Sequence, residues 1–357
     1  MQLALALGRR GLGRVAPWPS VGCVITRDNR IVGRGTSDLQ SMRHAERVAL
    51  DQAGAQAKGA TAYVTLEPCS HHGRTPPCAD ALIDAGIARV VVATGDPNPL
   101  VAGQGVLRLR NAGIDVATAV CDAEAKADHA GFLLSITQSR PFVTLKLAST
   151  LDGRIATASG DSQWITGPQA RRAVHAMRLS HDAVLVGGGT ARADDPTLTV
   201  RDMGADRQPV RIVVSKGLNL PRSSRLEETI SEGAVWLIHG EGAPSEQAIE
   251  RWTDAGATLI PAPVVDGSID LRSAMKTVCK HGLTRIFCEG GGQLAASLLK
   301  AGLVDQLVVM NGGKVFGAEG QPSVGSLGLA KLIEAPHFDL LETRAIGPDV
   351  LQRWRRV

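Results

Sequence analysis

A chain of 357 residues is too long for one ordinary core, so two domains are expected, each able to bury enough apolar surface to be stable. With 44% hydrophobic and 21% charged residues, the composition excludes a disordered or fibrous protein. One Tyr, five Phe and five Trp are too few for a single-stranded nucleic-acid groove, and a net charge of +4 fits a small anionic substrate better than DNA.

Met1 to Arg9 reads as a helix. Its apolar stretch Leu3 to Leu7, followed by Gly8, Arg9 and Arg10, lacks the order and length of a signal peptide. No apolar run approaches the roughly 18 residues of a membrane helix, so a cytoplasmic protein with no membrane partner is expected. Cysteines stay reduced there, and closely spaced ones are metal or catalytic ligands before they are disulfides. Cys23, Cys121, Cys279 and Cys288 lie in or beside apolar segments and read as small buried residues.

Val21 to Thr26 and Ile31 to Gly35 form a strand pair around the turn Asp28-Asn29. His44 to Ala53 has one apolar helical face, stopped by Gly54. Ala62 to Leu66 is a strand, Cys78 to Ala85 a helix, and Ala88 to Ala93 a strand ending at Asp96-Pro97-Asn98-Pro99. The composition changes near Ser139-Arg140-Pro141, which places the domain boundary there, giving domains 1–140 and 141–357. Beyond it, strands are expected at Phe142 to Leu147, Ala183 to Val186, Val210 to Val214, Ala234 to Ile238, Thr258 to Ile260, Arg285 to Cys288 and Gln306 to Met310. Helices are expected at Pro168 to Leu179 and Gly292 to Ala301. Alternating strands and helices make both halves α/β layer domains.

His44-Ala45-Glu46, then after 21 intervening residues Pro68-Cys69 and finally Pro77-Cys78, supply one imidazole, two thiolates and one free carboxylate. Three protein ligands, His44, Cys69 and Cys78, leave the fourth tetrahedral position open for water, as a catalytic zinc requires. Both Pro-Cys steps are expected to open helices, whose N-terminal dipoles favour thiolates. Glu46, two residues from a ligand, can move the water's proton without binding metal. Zinc nucleobase deaminases carry H-x-E followed by P-C-x-x-C, with the glutamate as acid and base. Here eight residues separate the cysteines, and the inserted loop Ser70 to Pro77 is polar and basic. A structural zinc knuckle is the competing reading, but it would call for a fourth Cys or His.

The stretch Thr65 to Cys78 resembles the long-spaced zinc motif of the bifunctional riboflavin-biosynthesis family, which joins a diaminohydroxyphosphoribosylaminopyrimidine deaminase to a 5-amino-6-(5-phosphoribosylamino)uracil reductase. The likeness continues through Asp96 to Pro99, Val101-Ala102-Gly103, Lys146-Leu147-Ala148, Leu151 to Arg154, Trp164 to Gly167, Ala193 to Pro196, Leu198 to Arg201 and Glu289 to Gly291, and spans the whole chain. It implies a cytidine-deaminase-like three-layer domain followed by a dihydrofolate-reductase-like α/β domain. It implies zinc and NADPH as cofactors. The reactions implied are hydrolytic deamination of a phosphorylated pyrimidine and then reduction of its ribosyl group to ribityl, by a homo-oligomer.

The resemblance also assigns residues. His71, Arg74 and Asn98 match substrate positions of the deaminase, and Ser162, Arg178, Leu198, Arg201 and Glu289 those of the reductase. Ala148, Trp164, Thr190, Asp194 and the segment Gly291-Gly292-Gln293-Leu294-Ala295-Ala296-Ser297 match cofactor positions. Some of this follows from the residues alone. Glycines between strand Arg285 to Cys288 and a helix can expose amides to a pyrophosphate, although a tight turn is the plainer reading. Gly187-Gly188-Gly189-Thr190 is a second such turn. Arg178 and Arg201 could grip a phosphate, or be solvated surface charges. Trp164 fits a cofactor wall or the core, and Lys216 fits the 2′-phosphate of NADPH or an exposed turn.

Departures from the family pattern cluster around the deaminase substrate. Trp18 replaces the Asn of a Pro-Asn-Pro, and Ser37 replaces a His seven residues before His44. The segment Leu39 to Arg43 lacks the usual Gly and Pro, and Arg47 stands where Val is usual. A silent or altered-substrate deaminase beside a working reductase is therefore the alternative. A base-editing nucleic-acid-binding protein and a non-catalytic metal scaffold are the remaining rivals.

Overall fold

The computed structural model describes residues 1–38, 41, 43–71, 76–99 and 101–357. The chain divides into two compact units, Met1–Arg140 and Pro141–Val357. No helix among the described residues is long and apolar enough to cross a membrane.

The first unit begins with helix α1 (Gln2–Arg9) and a hairpin of β1 (Gly22–Arg27) and β2 (Arg30–Thr36). Asp28 and Asn29 both have positive φ, the backbone that a two-residue hairpin turn needs to follow the strand twist. Helix α2 (Ala45–Ala53), β3 (Thr61–Leu66), α3 (Cys78–Asp84), β4 (Arg89–Thr94), α4 (Gln104–Asn111), β5 (Asp115–Ala117), α5 (Asp122–Asp128) and α6 (Ala130–Gln138) complete it. The sheet order is β2-β1-β3-β4-β5, antiparallel on either side of β1 and parallel from β3 to β5.

Strand alternation sorts its side chains into two layers. Cys23, Ile25, Val64, Val90 and Val92 pack with Ala45 and Ala49 of α2 and Leu82 of α3, while Val24 turns the other way, towards Ala4 and Leu7 of α1. Glycine is required at position 35, because a Cβ on Gly35 would collide with the Ala45 carbonyl. The missing side chain lets α2 lie directly on β2, and so fixes the helix whose first turn carries Glu46.

The second unit comprises β6 (Phe142–Ser149), β7 (Arg154–Ala156), α7 (Pro168–Leu179), β8 (Ala183–Gly187), α8 (Gly188–Asp194), β9 (Val210–Val214), α9 (Arg225–Glu228), β10 (Val235–Gly240), α10 (Glu246–Asp254), β11 (Thr258–Ala262), β12 (Val264–Val265), β13 (Ser268–Ile269), α11 (Leu271–Lys280), β14 (Arg285–Cys288), α12 (Gly292–Lys300), β15 (Gln306–Asn311), β16 (Gln321–Pro322), β17 (Phe338–Ile346) and β18 (Asp349–Arg356). Nine strands make one sheet in the order β11-β10-β9-β8-β14-β6-β15-β18-β17. All are parallel except the C-terminal hairpin, which joins antiparallel to β15. Val143, Leu145, Leu185, Ile212 and Ile286 face α11 and α12. Their neighbours Val184, Val213 and Leu237 face Trp252 of α10, and Phe287 faces Val174 and Met177 of α7. Both faces are therefore covered, as a parallel sheet requires.

Three sequence expectations need correcting. Pro77-Cys78 opens α3, but Pro68-Cys69 opens no helix, because residues 67–70 after β3 have no helical backbone. Gly187 to Thr190 is not a free turn: β8 runs straight into α8. The C-terminal hairpin β17–β18 lies beyond the expected strands, because its own leave charged and apolar side chains exposed together and alternate poorly.

Candidate functional site

In the first unit the three expected ligands come from three places and converge. His44 is the extended residue that caps α2, Cys69 lies in the loop after β3, and Cys78 begins α3. Their donor atoms all lie within 4.8 Å of one another. His44 Nδ1 is 3.6 Å from Cys69 Sγ and 3.2 Å from Cys78 Sγ. A tetrahedral zinc with bonds of about 2.05 Å to nitrogen and 2.3 Å to sulfur needs N···S edges of about 3.5 Å, so the donor set fits that metal.

The two cysteine segments are tied to each other, with the Cys78 N–H on Cys69 Sγ at 3.2 Å and the Ala79 N–H on the Cys69 carbonyl at 3.1 Å. The hydrogen bond from Cys78 brings the Cys69 thiol down to about 4, making it the thiolate of the pair, and pushes Cys78 the other way. Hydrogen bonding to Cys69 raises His44. The Glu46 carboxyl is buried beside them, and burial, helped by the Cys69 charge, pushes it up to about 7. A carboxyl group poised near neutrality can both take and return a proton.

Of the expected substrate contacts, His71 is exposed at the start of the inserted loop, and Arg74 lies outside the described residues. Asn98 is half-buried, with its N–H on Asp96 Oδ1 at 2.8 Å. One residue that the sequence pattern does not single out organises this region. Glu67, buried next to Pro68-Cys69, accepts the N–H groups of Gly103 at 3.0 Å and Val106 at 3.1 Å, at the start of α4. It thereby ties the Asp96 to Gly103 loop to the segment bearing a metal ligand. A glutamate beside a ligand cysteine is ambiguous in sequence, because its partners are about 36 to 39 residues away and are backbone groups.

In the second unit the expected residues gather at the C-terminal ends of β6, β8 and β14, where open α/β sheets place their ligands. Arg178 of α7 meets Glu289, just past β14, with Nε on Oε1 at 2.5 Å and Nη2 on Oε2 at 3.1 Å. Its Nη1 donates to the Thr199 carbonyl at 2.6 Å. The Arg178 fork is thus engaged by a carboxylate in this structure. Arg201 is exposed and uses Nη1 on Thr197 Oγ1 at 2.7 Å. Burial lowers the Lys146 ammonium on β6, opposed by the nearby Glu289 charge. A lysine in an otherwise apolar strand was the available signal for this third charge.

Thr190 and Gly291 are brought together, the Gly291 N–H on Thr190 Oγ1 at 3.1 Å, so that amide already has a partner. Gly292 is packed against the chain near Pro322, whose carbonyl a Cβ would meet at 2.6 Å. Leu294 and Ala295 belong to the core and Ala296 is buried, whereas Gln293 and Ser297 are exposed. Asp194 ends α8 and is exposed, while Ala148 and Ser162 are partly buried. Trp164 is exposed, not core, with the Arg171 guanidinium 4.6 Å above its ring and its carbonyl on Lys314 Nζ at 2.7 Å. Lys216 Nζ rests on the Gly267 carbonyl at 2.9 Å.

Residues 1–94 match the cytidine and deoxycytidylate deaminase zinc-binding region, and residues 141–352 match the RibD C-terminal domain. The fold and site thus define an enzyme that couples a zinc-binding deaminase unit to a reductase unit. The chain is 44% identical to the riboflavin biosynthesis protein RibD of Escherichia coli (strain K12), over 98% of this chain and 96% of that protein. It is 41% identical to the RibD of Aquifex aeolicus (strain VF5), over 100% and 97%. It superposes on Acinetobacter baumannii RibD with a TM-score of 0.88 at 37% identity, covering 100% of this chain and 97% of that one. For the diaminohydroxyphosphoribosylaminopyrimidine deaminase/5-amino-6-(5-phosphoribosylamino)uracil reductase of Thermotoga maritima the TM-score is 0.86 at 35% identity, with 100% and 97% covered. The chain belongs to the RibD family, the bifunctional deaminase-reductases of riboflavin biosynthesis.

Proposed function

We propose that the first unit deaminates diaminohydroxyphosphoribosylaminopyrimidine and that the second reduces 5-amino-6-(5-phosphoribosylamino)uracil with NADPH. The observation that carries this reading is the Glu46 carboxyl, buried against His44, Cys69 and Cys78 and poised near neutrality. Zinc held by those three side chains would lower the pKa of a water towards neutrality. Glu46 is the group that would carry a proton from water to the departing amine, in a hydrolysis that consumes water and releases ammonia. His71, Arg74 and Asn98 hold the phosphoribosyl pyrimidine.

In the second unit bound NADPH would supply the hydride, and solvent the proton, for reduction of the ribosyl group to ribityl. Ser162, Leu198, Arg201 and the Arg178–Glu289 pair form the substrate side. Arg201 is suited to the phosphate, because its guanidinium is exposed and has no carboxylate among its hydrogen-bond partners. Ala148, Trp164, Thr190, Asp194 and Gly291 to Ser297 form the cofactor side, with Leu294, Ala295 and Ala296 contributing main chain only. Turnover of the deaminase substrate followed by mass spectrometry tests both halves. Ammonia release without NADPH and a ribityl product only with it are expected, and a product that never loses its amino group would sink the first half.

A second reading, an altered or slow deaminase, is favoured by one observation. Trp18 is 51% exposed, and the Ser37 hydroxyl is held between the Pro19 carbonyl at 2.9 Å and the Val21 N–H at 3.0 Å. Neither residue offers what Asn or His would to a polar pyrimidine. We propose a cytoplasmic enzyme, and a homo-oligomer because Leu332 and Ile333 are 91% and 90% exposed side by side. Light scattering tests that assembly.

A further inference from the structure

Arg211, the second residue of β9, is fully buried, and no carboxylate is among its hydrogen-bond partners. Nη1 donates to the Thr197 carbonyl at 3.3 Å and to Thr229 Oγ1 at 2.7 Å. Nη2 donates to the carbonyls of Thr229 at 2.8 Å and Gly233 at 2.5 Å. Nε has no partner among the described residues. A buried charge hydrogen-bonded only to carbonyls and a hydroxyl, with the Glu232 charge acting on it from nearby, is costly to keep in a core. Its cost points to a role that packing does not explain.

That role is visible in the chain it holds. Every residue around Leu198 is tied by its main chain: Thr197 by Arg211, Thr199 by Arg178, and Val200 by Gln208, which accepts its N–H at 2.7 Å and donates to its carbonyl at 3.1 Å. The Arg201 N–H rests on His175 Nδ1 at 3.2 Å. Leu198 itself is different. Its side chain is in the core with Val184, Val186 and Val213, and its backbone is left-handed, at φ 57°. Neither its N–H nor its carbonyl makes a hydrogen bond among the described residues. A non-glycine residue in that region is strained and persists only when its surroundings fix it. Buried backbone groups without a partner call for a ligand or water.

We propose that Arg211 is a positioning residue for the substrate side of the reductase: by gripping the Thr197 carbonyl it holds the strained main chain of Leu198 in place. Two arginines flank the strained residue, Arg211 from inside the domain and Arg178 from the Glu289 side, each gripping the carbonyl one residue away from it. This deepens the reading of the Leu198 to Arg201 loop as the substrate side of the reductase and rests on it.

The test uses the full chain, with 5-amino-6-(5-phosphoribosylamino)uracil and NADPH varied separately. In Arg211→Lys an ammonium cannot span the same three residues, so the KM for the pyrimidine rises about tenfold while that for NADPH stays within about twofold. Arg211→Met shows the same split more strongly where it folds. Thr229→Val, which removes one acceptor and no charge, shows it more weakly. Deaminase turnover of the same preparations and their near-ultraviolet circular dichroism report folding. An unchanged pyrimidine KM in folded Arg211→Lys, or an equal rise in both KM values, overturns the proposal. If Arg201→Ala also leaves the pyrimidine KM unchanged, it is the reading of the loop that has failed; if Arg201→Ala raises it, only the role of Arg211 has.

Discussion

Arg178 and Glu289, 111 residues apart in sequence, form a bidentate ion pair across the C-terminal end of the second sheet, with both side chains 11% exposed. Burial alone would push the Glu289 carboxyl up, but the Arg178 guanidinium holds it below the usual carboxylate range. Glu289→Gln leaves Arg178 without its counter-charge in a nearly dry place. We expect a loss of about 3 kcal/mol in the stability of this unit, together with impaired reduction. Thermal unfolding and reductase kinetics check this, and unchanged deaminase turnover shows that the damage is local.

Glu46→Ala is expected to keep one zinc per chain and to lose deamination by about 10²- to 10⁴-fold, because the carboxylate moves protons and is not one of the three ligands. Metal analysis of the purified variant decides the point. An emptied site would make Glu46 a ligand.

The Glu67→Gln variant puts an amide N–H in place of one of the two oxygens that accept the Gly103 and Val106 N–H groups. The loop bearing Asn98 should loosen from the ligand segment. Deaminase KM should rise about tenfold with zinc retained, and the reductase of the same chain should be untouched. A variant with ordinary deaminase kinetics would show that Glu67 serves the fold only.

His181 gives a pH dependence to the stability of the second unit. Its Nδ1 lies 2.7 Å from the Met177 carbonyl, so Nδ1 carries the proton and Nε2 accepts from the Thr144 hydroxyl at 2.9 Å. Burial, reinforced by the nearby Arg285 charge, pushes it down to about 3 from an ordinary 6.5. The unfolded chain therefore binds the proton first. Stability is full above pH 6.5 and falls with acidification towards pH 3, by up to about 1.4 kcal/mol per pH unit. Denaturant titrations at several pH values should show that slope, shallower in His181→Asn.

Trp18→Asn should raise the deaminase specificity constant by about ten- to a hundredfold, since Asn can donate and accept where indole only donates. The reductase should not change. Deaminase turnover already at the family's rate, or no gain in a zinc-loaded variant, would make Trp18 a packing residue.

The sequence by itself determined the metal chemistry. His44, Glu46, Cys69 and Cys78 are few, chemically distinctive and closely spaced, and the elements carrying them show strong 2.0 or 3.6 periodicity. The parallel strands of the second sheet were equally legible, as short β-branched runs. Only the tertiary structure decided which partners the charged groups find. Glu67 and Arg211 act on backbone amides and carbonyls, which every residue possesses, so no pattern of side chains announces their partners. Arg178 reads in sequence as a free cation, and becomes the partner of Glu289 only because α7 and β14 meet at one end of the sheet. Leu198 reads as a core leucine, which its side chain is; its left-handed backbone is imposed by contacts that close only when the sheet is assembled.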